Sequence, residues 1–210
     1  MAKIRATFWD CGGVLLTNGW DEHARERVAR HFDLNFDEFE QRHPHANDLW
    51  ERGKIDAHEY LRETVFYAPR PFSESEFFMK MRDVSQVLYP GMIEFLGALR
   101  AQGSRDNSTY MLSNESRELM EYRIPTFGLS GLFDAYLVSA YIALRKPEPA
   151  FFRCALDISQ RQPDECVFVD DREENLEAAR QLGILGIRMT SPVQVIAELR
   201  RLGITADQAA

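Results

Sequence analysis

Cysteine is scarce. Cys11, Cys154 and Cys166 are the three in 210 residues, and no two of them form a CxxC pair. An odd count closes no disulfide framework, and the simplest setting for such a chain is a reducing, cytoplasmic one. Long apolar runs are missing as well. No stretch approaches the roughly 20 residues of a membrane span, so no membrane partner is expected. The opening Met1-Ala2-Lys3-Ile4-Arg5 lacks the apolar core of a signal peptide. Basic charge is in deficit: 25 Lys and Arg face 33 Asp and Glu, a formal net charge of −8. A general nucleic-acid binder presents a basic face, so nucleic acid is not an expected partner. There is no internal repeat and no low-complexity stretch. What remains is ordinary for a globular protein, 45% hydrophobic and 28% charged, with length enough for one or two domains and a real core.

Short β-rich runs recur along the chain: Ala6–Trp9, Thr109–Leu112, Ala135–Val138, Cys166–Val169 and Gly186–Met189. Helical patterns separate them. Ile93, Leu96 and Leu99 fall at helical spacing between Met92 and Ala101. A second helix is expected from Glu174 to Leu182, ended by Gly183, and a third starts at Ser191-Pro192 with serine as cap. Strands alternating with helices imply a parallel α/β sheet, and parallel sheets carry their chemistry at the carboxyl ends of the strands. Residues 17 to about 89 break the alternation. Asp56-x-x-Glu59 and Ser73-x-x-Glu76 resemble capping boxes, and no convincing strand appears. The expected organisation is an α/β core, residues 1–16 and 90–210, with a helical insertion at 17–89.

Four segments carry residues suited to chemistry. Asp10 ends the first apolar run and precedes Gly12-Gly13; a carboxylate there is costly unless paired or bound to a metal, though an Asp-Gly turn is also a common loop. Ser113-Asn114 follows the second run, placed either to hold phosphate oxygens or to cap a helix starting near Glu115. Lys146-Pro147 is either an anion-neutralising lysine or a solvated loop. Asp170-Asp171 follows Val167-Phe168-Val169, and two adjacent carboxylates are relieved by a cation such as Mg2+, whose ligands are oxygens. The bland alternative is an acidic helix N-terminus.

The order Asp loop, Ser-Asn, Lys-Pro, Asp-Asp, each at a strand end or loop, resembles the haloacid dehalogenase-like superfamily, in its branch with a small helical cap after the first motif. The likeness extends over about residues 6 to 190, and its most specific part is Leu144-Arg145-Lys146-Pro147-Glu148-Pro149 followed by Val169-Asp170-Asp171, Asn175, Ala178-Ala179 and Gly183. The resemblance implies a Rossmann-like three-layer core with a parallel sheet and an all-helical cap. It implies a Mg2+-dependent phosphatase of a small phosphorylated metabolite, such as a sugar phosphate. Asp10 would be nucleophile and metal ligand. The Gly12 carbonyl and Asp171 would bind the metal, with Asp170 as ligand or orienter. Ser113, Asn114 and Lys146 would hold the phosphoryl group, and Lys146 would also screen Asp10.

In one respect the chain departs from that family. Phosphatases of this kind usually carry a second Asp two residues after the nucleophile, as general acid and base; here the position is Gly12. Such help is typically worth about 10²–10⁴-fold, so turnover is expected to be slow or to draw on another acid, with His23, His43, His45 and Glu115 as candidates. Two alternatives follow: a metal-independent 2-haloacid dehalogenase, and a catalytically weak binding or regulatory member. The dehalogenases lack the paired acids and carry Tyr-Gly-Thr where this chain has Gly-Gly-Val. Retention of Asp10, Ser113, Lys146 and Asp171 argues against decay. Substrate choice would lie in the helical insertion, where Trp20, Trp50, Tyr60, Arg62, Tyr67 and Arg70 either line a pocket or form the core of a helical bundle.

Overall fold

The computed structural model describes residues 2–102 and 107–206. Strand β1 (Ala6–Trp9) leads through a loop into four helices, α1 (Glu22–His31), α2 (Phe36–Glu51), α3 (Ala57–Thr64) and α4 (Glu74–Asp83). Alternation then sets in: α5 (Pro90–Ala101), β2 (Ser108–Ser113), α6 (Arg117–Thr126), β3 (Ala135–Val138), a short α7 (Ser139–Ile142), α8 (Pro149–Ser159), β4 (Cys166–Asp170), α9 (Glu173–Gln181), β5 (Leu185–Arg188) and α10 (Pro192–Arg201). The five strands form one parallel sheet in the order β3-β2-β1-β4-β5. Among the described residues no helix is long and apolar enough to cross a membrane.

Side chains alternate across a strand, and both faces of this sheet are covered. Trp9, Met111, Val167 and Val169 pack on one face with Met92, Phe95 and Leu96 of α5 and Val195 and Leu199 of α10. Ala6, Phe8, Leu112 and Phe168 pack on the other with Phe151, Phe152 and Ala155 of α8 and Leu176 and Ala179 of α9. This is the three-layer Rossmann-like core, and burial on both faces explains why β1 and β4 are almost wholly apolar before their terminal acids. Each fully buried large side chain in it contributes about 1.5–3 kcal/mol.

The helices between β1 and α5 form the all-helical cap and contribute no strand to the sheet among the described residues. They bury Val28, Phe39, Trp50, Tyr60, Phe77 and Met81 against one another, with Leu119 of α6. The Asp56–Glu59 and Ser73–Glu76 capping boxes are both formed. The two connections to the core run side by side: Thr17 N donates to Gln86 O at 2.9 Å, and Leu88 N to Leu15 O at 2.9 Å.

Two sequence-based expectations shift. β5 spans Leu185–Arg188 rather than Gly186–Met189, because its ladder with β4 begins with Leu185 opposite Val167. Helix α6 starts at Arg117 behind Ser116, two residues past Glu115, and Ser113 and Asn114 do not cap it. At Gly183 and Ser191-Pro192 the expected stops and starts hold: Gly183 has φ 90°, and the Ser191 side chain accepts from Gln194 N.

Gly53, just past the end of α2, has φ 64° and lies against the Ala140 carbonyl of α7, which a Cβ would overlap. Gly53→Ala is therefore expected to destabilise the protein by about 1–3 kcal/mol, read by chemical or thermal denaturation. An unchanged stability would show that α2 does not sit this tightly on the core.

Candidate active site

The site lies where the sheet changes direction, between β1 and β4, at the carboxyl ends of the strands. Asp10 follows β1, anchored by Asp10 N donating to Val169 O at 2.9 Å. Its Oδ1 accepts from Cys11 N at 2.7 Å and faces Lys146 Nζ at 2.8 Å. The same ammonium donates to Asp170 Oδ2 at 2.7 Å. Lys146 is thus no solvated loop residue: it is 2% exposed and bridges two strand ends. Asp170 is saturated, since Arg172 N donates to Oδ1 at 2.8 Å and Asn175 Nδ2 reaches both of its oxygens.

Asp171 differs. Its Oδ1 is buried and has no hydrogen-bond partner. Oxygens of Asp10, Asp170 and Asp171 lie within 4.8 Å of one another. An orphaned carboxylate oxygen beside two other hard oxygen donors fits a divalent cation such as Mg2+. Gly13 makes this approach possible: its φ is 72°, and a Cβ there would overlap the Asp171 carboxylate.

Ser113 ends β2, is buried, and lines the same cavity. Asn114 also lines the cavity, with both ends of its amide engaged. Its Nδ2 donates to Lys146 O at 2.7 Å and its Oδ1 accepts from Lys146 N at 2.8 Å. Its amide is engaged with the Lys146 backbone, so Asn114 acts on the site by fixing that loop.

The charges are unbalanced. Three carboxylates share one ammonium, and burial pushes Asp10 up to about 7 against the pull of Lys146, with Asp170 and Asp171 adding to the rise. Burial and then Asp170 also raise Asp171. For Lys146, burial works against the charged form, but Asp10 and Asp170 outweigh it and its pKa lies above the ordinary value.

The cavity over Asp10 measures about 290 Å³. Its cap side is built from Trp20, Arg25, His43, Asn47 and Glu51, and its floor includes Glu115 and Arg123. Of the aromatic and arginine set expected to line it, only Trp20 does among the described residues. Trp50 and Tyr60 stack on each other at 4.4 Å inside the cap core. Tyr67 lies under the Arg42 guanidinium at 3.7 Å, and Arg62 is exposed. These side chains are bundle core and surface. Of the candidate acids, His23 and His45 are exposed and away from the cavity. Glu115 is buried but tied to Arg123 at 2.7 Å. His43 is held neutral. Trp20 Nε1 can only donate, and it does so to Tyr60 OH at 2.6 Å. The same hydroxyl is hydrogen-bonded to His43 Nδ1 at 2.9 Å. Burial brings the His43 pKa down to about 4.

Arg25, Asn47, Glu51 and Arg123 escape sequence reading. Arg123 alone leaves a trace, a charge four residues after Leu119 on the buried stripe of its helix. Arg145, part of the motif, ties the site to the cap through Asp48 at 2.8 Å and Glu51 at 2.8 Å.

Fold and site geometry together define a hydrolase of one family. The chain belongs to the haloacid dehalogenase-like hydrolases, whose family model matches residues 4–183. The sesquiterpene phosphatase astK of Aspergillus oryzae is 29% identical over 95% of this chain and 96% of its own length. Bifunctional epoxide hydrolase 2 of Rattus norvegicus is 24% identical over 95% of this chain, which spans only 39% of the rat protein. A HAD family enzyme of Bacteroides thetaiotaomicron, crystallised in complex with magnesium and inorganic phosphate, shares the fold with a TM-score of 0.75. That similarity covers 90% of this chain and 96% of the other, at 22% identity.

The depressed His43 pKa has a signed consequence. The unfolded chain takes up this proton below about 6.5 and the folded chain only below about 4. Its contribution is fully present above pH 6.5 and is lost as pH falls toward 4, by about 3 kcal/mol in all. Denaturation of wild type and His43→Gln across this window is expected to show the wild type losing more stability. Parallel curves would show that His43 titrates normally in the fold.

Proposed function

We propose that this chain is a Mg2+-dependent phosphatase of a small, hydrophilic phosphate monoester, with Asp10 as nucleophile. The observation that carries this reading is the Lys146 ammonium held between Asp10 and Asp170, next to the unpartnered Asp171 oxygen. Residues 17–89 would be the cap, and 1–16 with 90–210 the hydrolase core.

Phosphoryl transfer needs alignment and charge neutralisation above all. Lys146 and the Cys11 N–H fix the Asp10 carboxylate, and one of its oxygens forms a bond to phosphorus as the bond to the organic oxygen breaks. Water then attacks the phosphorus of the aspartyl phosphate, releasing inorganic phosphate and restoring Asp10. Ser113 and Lys146 hold the transferred group, and Asn114 and Asp170 position Lys146. Mg2+ would be held by Asp10, the Gly12 carbonyl and Asp171, and would supply positive charge for the phosphoryl oxygens. A metal-free dehalogenase has no use for the orphaned Asp171 oxygen.

The cavity lining supports a hydrophilic substrate. Trp20 is its one large apolar side chain among the described residues; besides two glycines, the rest are amides, acids, arginines, Ser113, Lys146 and His43. Such a wall matches hydroxyl-bearing groups, of which a sugar is the obvious case, and offers little to a terpene chain.

Release of inorganic phosphate from a panel of small phosphate monoesters with Mg2+ tests the nucleophile. Asp10→Asn is expected to lower turnover on the order of 10³-fold or more, and wild-type turnover would overturn the assignment. The metal has an independent readout. Mg2+ at 100 times its Kd is expected to stabilise the wild type by about 2.7 kcal/mol, and Asp171→Ala is expected to abolish that shift. A shift retained in the variant would place the cation elsewhere.

A further inference from the structure

Asn18 is a side chain of the cavity with no part in the chemistry above. It is half-buried on the path from the Asp10 loop to α1, and it lines the cavity together with Asp10 and Gly12. Its Oδ1 lies 2.7 Å from the point that a Cβ on Gly12 would occupy, and its Cα lies 3.5 Å from that point. Asn18 therefore stands in the volume where a side chain at position 12 would begin.

The backbone does not explain the glycine at position 12. Gly13 has a positive φ of 72°, whereas Gly12 lies outside the left-handed region. What a side chain at 12 would meet first is the Asn18 amide, which would have to shift to admit it. Among the described residues that amide makes no hydrogen bond, so its donors and its acceptor are free to face a ligand.

We propose that Asn18 is a substrate-positioning residue that takes the place left by the absent second acid, contacting the oxygen that links phosphorus to the organic group. This rests on the phosphatase reading of the site. The Nδ2 amide donates a hydrogen bond to that oxygen as negative charge builds on it. An amide transfers no proton, so the departing oxygen takes its proton from water. Asn18 orients the ester and stabilises charge, which is half of what a carboxylic acid does there.

Stabilisation of this kind matters most where the leaving oxygen carries most charge. Alkyl phosphates leave as strongly basic alkoxides, and aryl phosphates leave as far weaker bases. Removing a single donor to a developing oxyanion lowers turnover by up to about 10²–10³-fold. Asn18→Ala is expected to lower kcat by at least about tenfold on the alkyl phosphate turned over fastest, and by only a few-fold on 4-nitrophenyl phosphate, with KM little changed. Gly12→Ala supplies the second arm. Its methyl group displaces the Asn18 amide, so it is expected to reproduce the same selective loss. The double variant is expected to lose no more than either single one, because both remove one interaction.

The Mg2+-induced thermal shift of Asn18→Ala reports whether the metal loop is intact and is expected to stay at the wild-type value; Gly12→Ala is compared only if it keeps that shift. If Gly12→Ala does not fold, the alkyl-to-aryl ratio of Asn18→Ala decides alone. Equal losses on the two ester classes, or additive losses in the double variant, would overturn the role of Asn18 while leaving Asp10 in place. Phosphate release that survives Asp10→Asn would overturn the reading of the site and the Asn18 role with it.

Discussion

The site is organised around one buried ammonium. Lys146 Nζ sits 2.8 Å from Asp10 and 2.7 Å from Asp170, and 5.3 Å from the centroid of the Phe168 ring, with 2% of the residue exposed. Taking such a group out of water is expensive, and an apolar residue of similar volume is often as stable or more so. Removing one partner alone costs about 3–5 kcal/mol, because a charge is left buried and uncompensated. Stability alone therefore does not account for Lys146. The fold supports it by clamping its backbone through Asn114 and by tying the preceding Arg145 to Asp48 and Glu51 of α2.

A second buried pair braces the opposite side of the cavity. Arg123, on α6, donates to Glu115 at 2.7 Å and also to the Thr17 carbonyl on the path into the cap. Glu115 accepts from Ser116 N at 3.0 Å, and its backbone carbonyl takes Ala140 N at 3.3 Å. The pair links β2, α6, α7 and the first cap connection in one polar network. Cys11, beside Asp10, is buried, and burial pushes its thiol up to about 12. The thiol stays protonated and offers no thiolate nucleophile.

Much of this architecture was legible in the sequence, because local rules and the fold agree. The runs Ala6–Trp9 and Ala135–Val138 coincide with β1, buried along its whole length, and with β3, the edge strand whose second half is buried. The capping boxes at Asp56 and Ser73 act locally and could be read locally. Asp10, Ser113, Asp170 and Asp171 stood out because they follow or end apolar strands, where a parallel sheet collects its chemistry, whereas Lys146, in the loop after α7, stood out only through the order of the four segments. The cavity wall was not. Arg25, Asn47 and Glu51 sit on helix faces whose orientation depends on how the cap docks, and nothing local distinguishes them from solvated polar residues. The aromatic residues misled in the other direction: Trp50 and Tyr60 fill the interior that a small helical bundle needs for its own stability. Asn114 was ambiguous for a third reason. Its partner is the Lys146 backbone, 32 residues away, which no spacing rule anticipates.

The paired connections at Leu15–Thr17 and Gln86–Tyr89 carry a topological consequence. The chain leaves the core and returns to it at neighbouring points, joined by Thr17 N to Gln86 O and Leu88 N to Leu15 O. To the sheet, the whole helical excursion is equivalent to a tight hairpin, since the separation of its ends does not depend on what lies between them. Closure entropy grows only slowly with length, about 0.6 kcal/mol for each doubling. The excursion can therefore be lengthened, shortened or replaced as a cassette while the five strands keep their register. A scaffold with such a doorway can acquire new cavity walls without rebuilding the carboxylates and lysine beneath them.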